Sequence, residues 1–566
     1  MAYSETIPEL NSLSEAKREL LERYVRGDIA HVLGDSDRAR PIAKRDSDGP
    51  APLSFAQQQV WVHSQISPDL PIYNEPFTVR RTGALDVAAL ERVLTEIIRR
   101  HEAWRTVFPE VNGQPVQVVQ AAPDSFTLPQ FDLRSLGVAE RAAEALRLAA
   151  QDAQRPFDLA KGPLLRAKLV RLADQEYRLY LTLHQIILDG VTAYNVLLPE
   201  LVALYEAFSN GKPSPLAELA FQHADYASWQ RQWLTEEKLA QQLGYWREQL
   251  AGDLPVLELP TDRPRPATQT FRGAMYPLQV PKAVVERVRG FAQREGATLF
   301  MGMLAGFYAV LHRYTGQDDI LMGSLTASRK GEGVDKLLGY FVNPVVLRAH
   351  FDGNPSFREL LGRVRQTVLD ALAHDDVPFE YLVETLHPQR DLSRNPLFQI
   401  MLSLEPPMPP LNGWSMTQFD VGSGASKFDL YLDLDDREEG IIGPVTFNPD
   451  LFDEETIGRM VEHWQRLLEA AVADPTCRIS QLPLLAPSEQ QQLLVEWNDT
   501  ASAQPQLCSP ALFEAQAERT PEAVAVEDET SSLSYRELNR RANQLAQYLR
   551  SLGVGPEKLV GICTSR

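Results

Sequence analysis

Residues 181–195 read LTLHQIILDGVTAYN, and the fold turns on how this stretch divides. The run YRLYLTLH reads as a buried strand that ends at His184. Beyond Asp189 and Gly190, Thr192 is placed to cap a helix over AYNVLLPELVALYEAF. The residues between form a strand-to-helix loop, a setting that presents side chains into a cleft. His184, Asp189 and Gly190 in such a loop suit catalysis. Gln185, between the histidine and the aspartate, neither takes nor gives a proton near neutral pH.

Working outward, apolar alternation and helical patterns interleave from Pro52 to about residue 485, the mixed signature of an α/β or α+β body. DVAALERVLTEIIRRHEAWRTVF reads as a helix running into a strand. After the Pro-rich ELPTDRPRPATQTFRG come a helix, ATLFMGMLAGFYAVLHRYTG, and a strand, DILMGSLTA, which indicate a second lobe. Nearer the start, SLSEAKRELLERYVRG over 12–27 carries a capping box of Ser12 and Glu15, an apolar face of Leu13, Ala16, Leu20 and Tyr24, and a stop at Gly27. That helix either packs on its own domain or docks another polypeptide. The charged, Pro-containing stretch after it reads as a flexible linker.

With 566 residues and 44% hydrophobic side chains the chain can bury several cores. Acidic residues outnumber basic ones, 76 to 56, for a formal charge of -20, which disfavours nucleic acid as a partner. The N-terminus has no signal-peptide pattern, and no apolar run nears the length needed to span a bilayer. Three cysteines, Cys477, Cys508 and Cys563, have no metal-ligand spacing, so a reduced, cytoplasmic protein without a metal is expected.

LSFAQQQVWV, RRHEAWRTVF, HQIILDG, YASWQRQWL, LLGYFVNPVVLR, HDDVPFEYLVETLHPQRDLSRNPLFQIML and KFDLYLDL follow one another in the order found in condensation domains of nonribosomal peptide synthetases. The chain resembles that family over most of its length. The resemblance implies two chloramphenicol-acetyltransferase-like lobes, a V-shaped pseudo-dimer with the active site in a tunnel between them. The expected division is an N-terminal helix and linker over 1–50, a first lobe over 51–225, a second over 226–485, and a linker with the start of an adenylation domain over 486–566. LFEAQAERTPEAVAVEDETSSLSYREL carries that last resemblance. The sequence reaches no Gly/Ser/Thr-rich phosphate loop and has no GG-x-S carrier serine, so a piece of a longer synthetase is expected. The first helix resembles segments opening modules that follow polyketide modules.

The activity implied is amide formation: the amine of a carrier-bound acceptor attacks the thioester of a carrier-bound donor. Both substrates would arrive on phosphopantetheine arms of separate domains, an upstream peptidyl or acyl carrier and a downstream peptidyl carrier, with no cofactor held by this chain. The rest of the adenylation domain is a further implied partner. In the family pattern His-His-x-x-x-Asp-Gly, the second histidine handles the amine proton or positions the amine. Gln185 stands at that position, and His184 at the first histidine. Asp189 would pair with an arginine of the second lobe, a role Arg329 of TASRK fits, while Gly190 would permit a tight turn. Arg105 and Asn343 fall in motif positions near the tunnel, where ordinary hydrogen bonding competes with a catalytic role.

Two readings follow from Gln185. A condensation enzyme would be slowed by lack of the histidine; a silent platform would bind carriers or recruit a tailoring enzyme without forming a bond. A heterocyclisation domain is disfavoured, since that family carries aspartate where His184 stands. An epimerisation domain is disfavoured by its missing acidic second-lobe motif and by the adenylation segment that follows.

Overall fold

The computed structural model describes residues 41–563 apart from 47–48, 389–390, 406–410, 412, 419 and 501–506. The helix expected over 12–27 lies outside the described residues. Two compact units divide at Ala486 and Pro487.

The first unit holds two lobes with separate apolar cores. In the first lobe, the helix Val87–Arg100, capped by the Asp86 carboxylate, lays Leu90, Val93, Leu94 and Ile97 onto a sheet. The strands of that sheet run in the order Trp414–Thr417, Asn74–Thr82, Glu176–His184, Leu165–Ala173 and Gln130–Asp132. Asn74 pairs with His184 and Glu75 with Leu183, and one residue beyond the strand Gln185 comes opposite Tyr73.

In the second lobe, Leu299–Thr315 is a helix buried along nearly its whole length, capped by Thr298 and closed by Gly316 in the left-handed region, φ 69°. Its sheet runs Asn343–His350, Asp319–Thr326, Ile400–Glu405, Leu430–Arg437, Gly440–Phe447 and Ala274–Pro281. Ile400–Glu405 and Leu430–Arg437 lie parallel, with Ser403 opposite Asp433 and Glu405 opposite Asp435. Side chains alternate along a strand, so Leu402, Leu404, Leu432 and Leu434 face the core while Ser403, Glu405, Tyr431, Asp433 and Asp435 share the other face.

The lobes do not separate at residue 225. That position falls inside the helix His223–Trp233. Trp414–Thr417, between the two parallel strands in sequence, leaves the second lobe and pairs antiparallel with Asn74–Thr82, and Leu338, Tyr340 and Val342 fill the first core. The expected flexible linker is also corrected over 41–46: Ile42 packs with Phe221, Tyr226, Val334, Leu337 and Phe341, and both the Arg45 amide and its guanidinium donate to Asp225.

The second unit holds the helix Ser509–Arg519, a hairpin of Val524–Glu527 with Ser532–Ser534, and the helix Tyr535–Ser551, whose Leu545 and Tyr548 are exposed.

Candidate active site

His184 ends its strand as a packed histidine. Its Nδ1 accepts the Ile186 amide at 3.2 Å, and its ring lies edge-on to Phe157. Burial, reinforced by the positive charges of Lys427 and Arg166, pushes its pKa down to about 3, so the ring is neutral and its other nitrogen carries the hydrogen. The chain then makes one tight turn, Gln185–Ile187, held by the Gln185 amide on the Tyr73 carbonyl at 2.8 Å.

Asp189, 2% exposed, is the helix cap. Its carboxylate accepts the Thr192 amide and hydroxyl, each at 2.8 Å, and on its other oxygen the Phe341 amide at 2.9 Å. Thr192, expected to cap, is instead the reciprocal partner three residues on. Arg329, 7% exposed, reaches Asp189 at 3.5 Å, donates to the Val334 carbonyl at 2.9 Å and stacks over the Phe341 ring at 4.3 Å. The loop of the first lobe is thus clamped by two segments of the second.

Gly190 serves a different need from the expected turn. It begins the helix outside the left-handed region, and a Cβ there would meet Glu405 Oε1 at 2.8 Å. The glycine admits a carboxylate from the other lobe.

A cavity of about 1380 Å3 lies between the lobes, and Gln185, Asp189, Gly190 and Arg329 line it. His184, Arg105 and Asn343 are not among its lining residues. Arg105 donates to the Gln120 carbonyl and to Glu102, while the Asn343 amide donates to the carbonyls of Asp375 at 3.0 Å and Val377 at 2.7 Å. Both hold backbone in place.

Several cavity residues escaped the sequence reading. Lys427, first residue of the KFDLYLDL motif, donates from Nζ to Gln185 Oε1 at 2.5 Å and lies 4.0 Å from Glu75. Glu405 and Asp433 belong to the polar face of the parallel strand pair, and Ser403 donates to Asp433 at 2.8 Å. Burial, then repulsion from Asp433, Asp435, Asp189 and Glu75, raises the Glu405 pKa well above its usual value. Asp433 is likewise raised by burial. The leucine–acid alternation of LYLDLD was the available signal, since acids opposite core leucines must face a cavity or water.

Among the described residues no group of three or more His, Cys, Asp or Glu is arranged to hold a metal ion, and no helix is long and apolar enough to cross a membrane. What the site offers is a two-lobed enclosure with hydrogen-bond donors, one amine and several buried acids.

Comparison with known proteins fits this geometry. The condensation-domain family matches residues 47–494, and the AMP-binding enzyme family matches 513–566. One of the linear gramicidin synthase proteins of Brevibacillus parabrevis is 45% identical over 534 residues, 93% of this chain and 10% of that protein. Phosphinothricin tripeptide synthetase PhsC of Streptomyces viridochromogenes is 40% identical across 97% of this chain and 51% of its own length. The chain thus spans between about a tenth and half of these relatives. Among solved structures, the X-domain from teicoplanin biosynthesis is 28% identical with a TM-score of 0.68, covering 79% of this chain and all of that one. A four-domain nonribosomal peptide synthetase bound to AMP and glycine shares the fold at 22% identity, TM-score 0.74, over 89% of this chain and 39% of that one. The mixed fold, the two lobes and the ordered motifs converge: this chain belongs to the condensation-domain family of nonribosomal peptide synthetases, followed by the start of an AMP-binding domain.

Proposed function

We propose that the two-lobed unit joins a carrier-bound donor thioester to the amine of a carrier-bound acceptor, and that Gln185 slows the step. The observation that carries this reading is the cavity shared by both lobes, with Gln185, Asp189 and Gly190 of the motif loop on its wall. Holding two tethered reactants together in such an enclosure supplies the alignment the reaction requires. Gln185 Oε1 is occupied by Lys427, which leaves its amide N–H groups to orient the acceptor or to touch the developing oxyanion. The His184 ring, neutral and outside the cavity, holds the strand end.

The donor arrives on an upstream acyl or peptidyl carrier and the acceptor on a downstream peptidyl carrier, each on a phosphopantetheine arm. The first lobe runs from 51 into the helix His223–Trp233 and the second from there to about 485, with 414–417 crossing back to the first, and the adenylation start follows. The assembly works in the cytoplasm, where the cysteines stay reduced.

The test is a single-turnover reaction with both carriers loaded. The chain is expected to form the amide, and Gln185→His to raise the rate about a hundredfold by adding a titrating imidazole. A second reading is favoured by one observation: the residue at the proton-handling position cannot titrate. The X-domain from teicoplanin biosynthesis has been solved in complex with OxyB; on this second reading the present chain binds carriers or another protein and forms no bond. If the chain and Gln185→His both stay at background while carriers bind normally, the platform reading replaces the enzymatic one.

A further inference from the structure

Lys427 comes from the second lobe, three residues before the strand Leu430–Arg437, yet its amine sits against the first lobe. Nζ is 2.5 Å from Gln185 Oε1 and 4.4 Å from the centre of the Tyr73 ring. Its side chain is 28% exposed and lines the cavity. The ordinary explanation would be a structural ion pair with Glu75. The separation of 4.0 Å makes that pair loose, and the group Lys427 touches is the neutral Gln185 amide. An amine held by one N–H on an acceptor keeps its nitrogen lone pair, once deprotonated, available to the cavity.

We infer that Lys427 is a further catalytic residue of the condensation step: beside Gln185, its Nζ takes the proton of the attacking acceptor amine in place of an imidazole. This rests on the amide-forming reading above. The acceptor nitrogen adds to the thioester carbonyl carbon, a C–N bond forms, and the carbonyl π electrons move to oxygen. Lys427 removes a proton from the cationic nitrogen of this adduct. The oxyanion then collapses, the C–S bond breaks, and the Lys427 ammonium returns the proton to the departing sulfur. Thioester and amine become amide and thiol, and the lysine is regenerated.

The surroundings suit an amine that must be partly neutral. Burial pushes the Lys427 pKa down, opposed by Glu75 on the strand Asn74–Thr82 and Asp433 on Leu430–Arg437. Burial pushes Glu75 upward in turn, which weakens its hold on the ammonium. The remaining titratable neighbours, His63 on the helix Phe55–Ile66, His184 and Tyr73, are all shifted toward their neutral forms by burial. No full negative charge lies closer to Nζ than Glu75 among the described residues.

Single-turnover rates with both carriers loaded, followed from about pH 6 to pH 9, test the assignment. The rate of the unmodified chain is expected to rise with pH to a plateau, with an apparent pKa below that of an ordinary lysine. Lys427→Met and Lys427→Arg are both expected to lose about a hundredfold and the pH-dependent rise, because arginine keeps the charge but cannot accept the proton. In a Gln185→His background, Lys427→Arg is expected to change the rate little, since the imidazole takes over. A flat pH profile for the unmodified chain overturns the inference whatever the variants do. So does a Lys427→Arg rate equal to the parent, or an equal loss in both backgrounds, either of which marks a structural cation. A parent chain that forms no amide at all overturns the amide-forming reading and this inference together.

Discussion

Asp189 and Glu405 are acids from different lobes that flank the same glycine, and they are buried to nearly the same degree, 2% and 9% exposed. Their surroundings differ in kind. Asp189 accepts two backbone amides and a hydroxyl and has a guanidinium beside it, so every lone pair it needs is occupied. Glu405 has an oxygen with no hydrogen-bond partner and other carboxyl groups around it. The first is built to hold a loop still, and the second leaves bonding capacity in a cavity. Charge alone distinguishes neither; the partners do.

The largest effect is expected at the clamp. Arg329→Ala removes the guanidinium beside a buried carboxylate and the donor to the Val334 carbonyl, and should lower stability by about 3 to 5 kcal/mol. The denaturant midpoint measures it. An unchanged midpoint would show that the backbone amides of Thr192 and Phe341 suffice for Asp189, and the contrast with Glu405 would shrink.

At the unsatisfied acid the sign reverses. The folded-state pKa of Glu405 lies above its usual value of 4.5, so between that value and the raised one the unfolded chain is ionised while the folded chain holds its proton. Folding is therefore penalised increasingly as pH rises. Glu405→Gln removes the penalty. Thermal unfolding should show this variant more stable than the parent at pH 8 by about 1 to 3 kcal/mol, the scale of a buried polar group without a partner, and level with it at pH 4. Equal stabilities at both pH values would mean that Glu405 is ionised and partnered.

This contrast was half legible in the sequence. The parts of the clamp lie in patterns that could be read: the apolar run to His184, the Asp189–Gly190 pair, and the strand of Ile320, Leu321 and Met322 that precedes Arg329; that Asp189 and Arg329 meet, 140 positions apart, was implied only by the resemblance to condensation domains. The long helices Val87–Arg100 and Leu299–Thr315 were equally plain, since their apolar spacing and caps are local too. The acid wall was hidden by register. That Glu405 stands beside Asp435, and Ser403 beside Asp433, depends on parallel pairing across 30 residues, which no window of sequence reports. Lys427 was hidden for the same reason, 242 positions from the glutamine it touches. Trp414–Thr417 is four residues long, too short for alternation to announce a strand, and its pairing with the other lobe is decided by which edge is free.

The smallest expected effect tests whether the two acids are coupled through the glycine between them. Gly190→Ala places a methyl 2.8 Å from Glu405 Oε1 and 3.1 Å from its Cδ, while the backbone itself raises no objection to a side chain. The carboxylate ends a side chain that can rotate, so the clash should be relieved by a small shift, for about 1 kcal/mol, the low end for added bulk in a packed site. Shortening the opposing side chain should then remove the conflict: in Glu405→Ala, the same Gly190→Ala substitution is expected to change the unfolding midpoint by much less. A double-mutant cycle reads that interaction directly. If Gly190→Ala is equally harmful with and without the Glu405 carboxylate, the glycine answers to the Asp189 loop rather than to the opposite wall, and the two acids act separately.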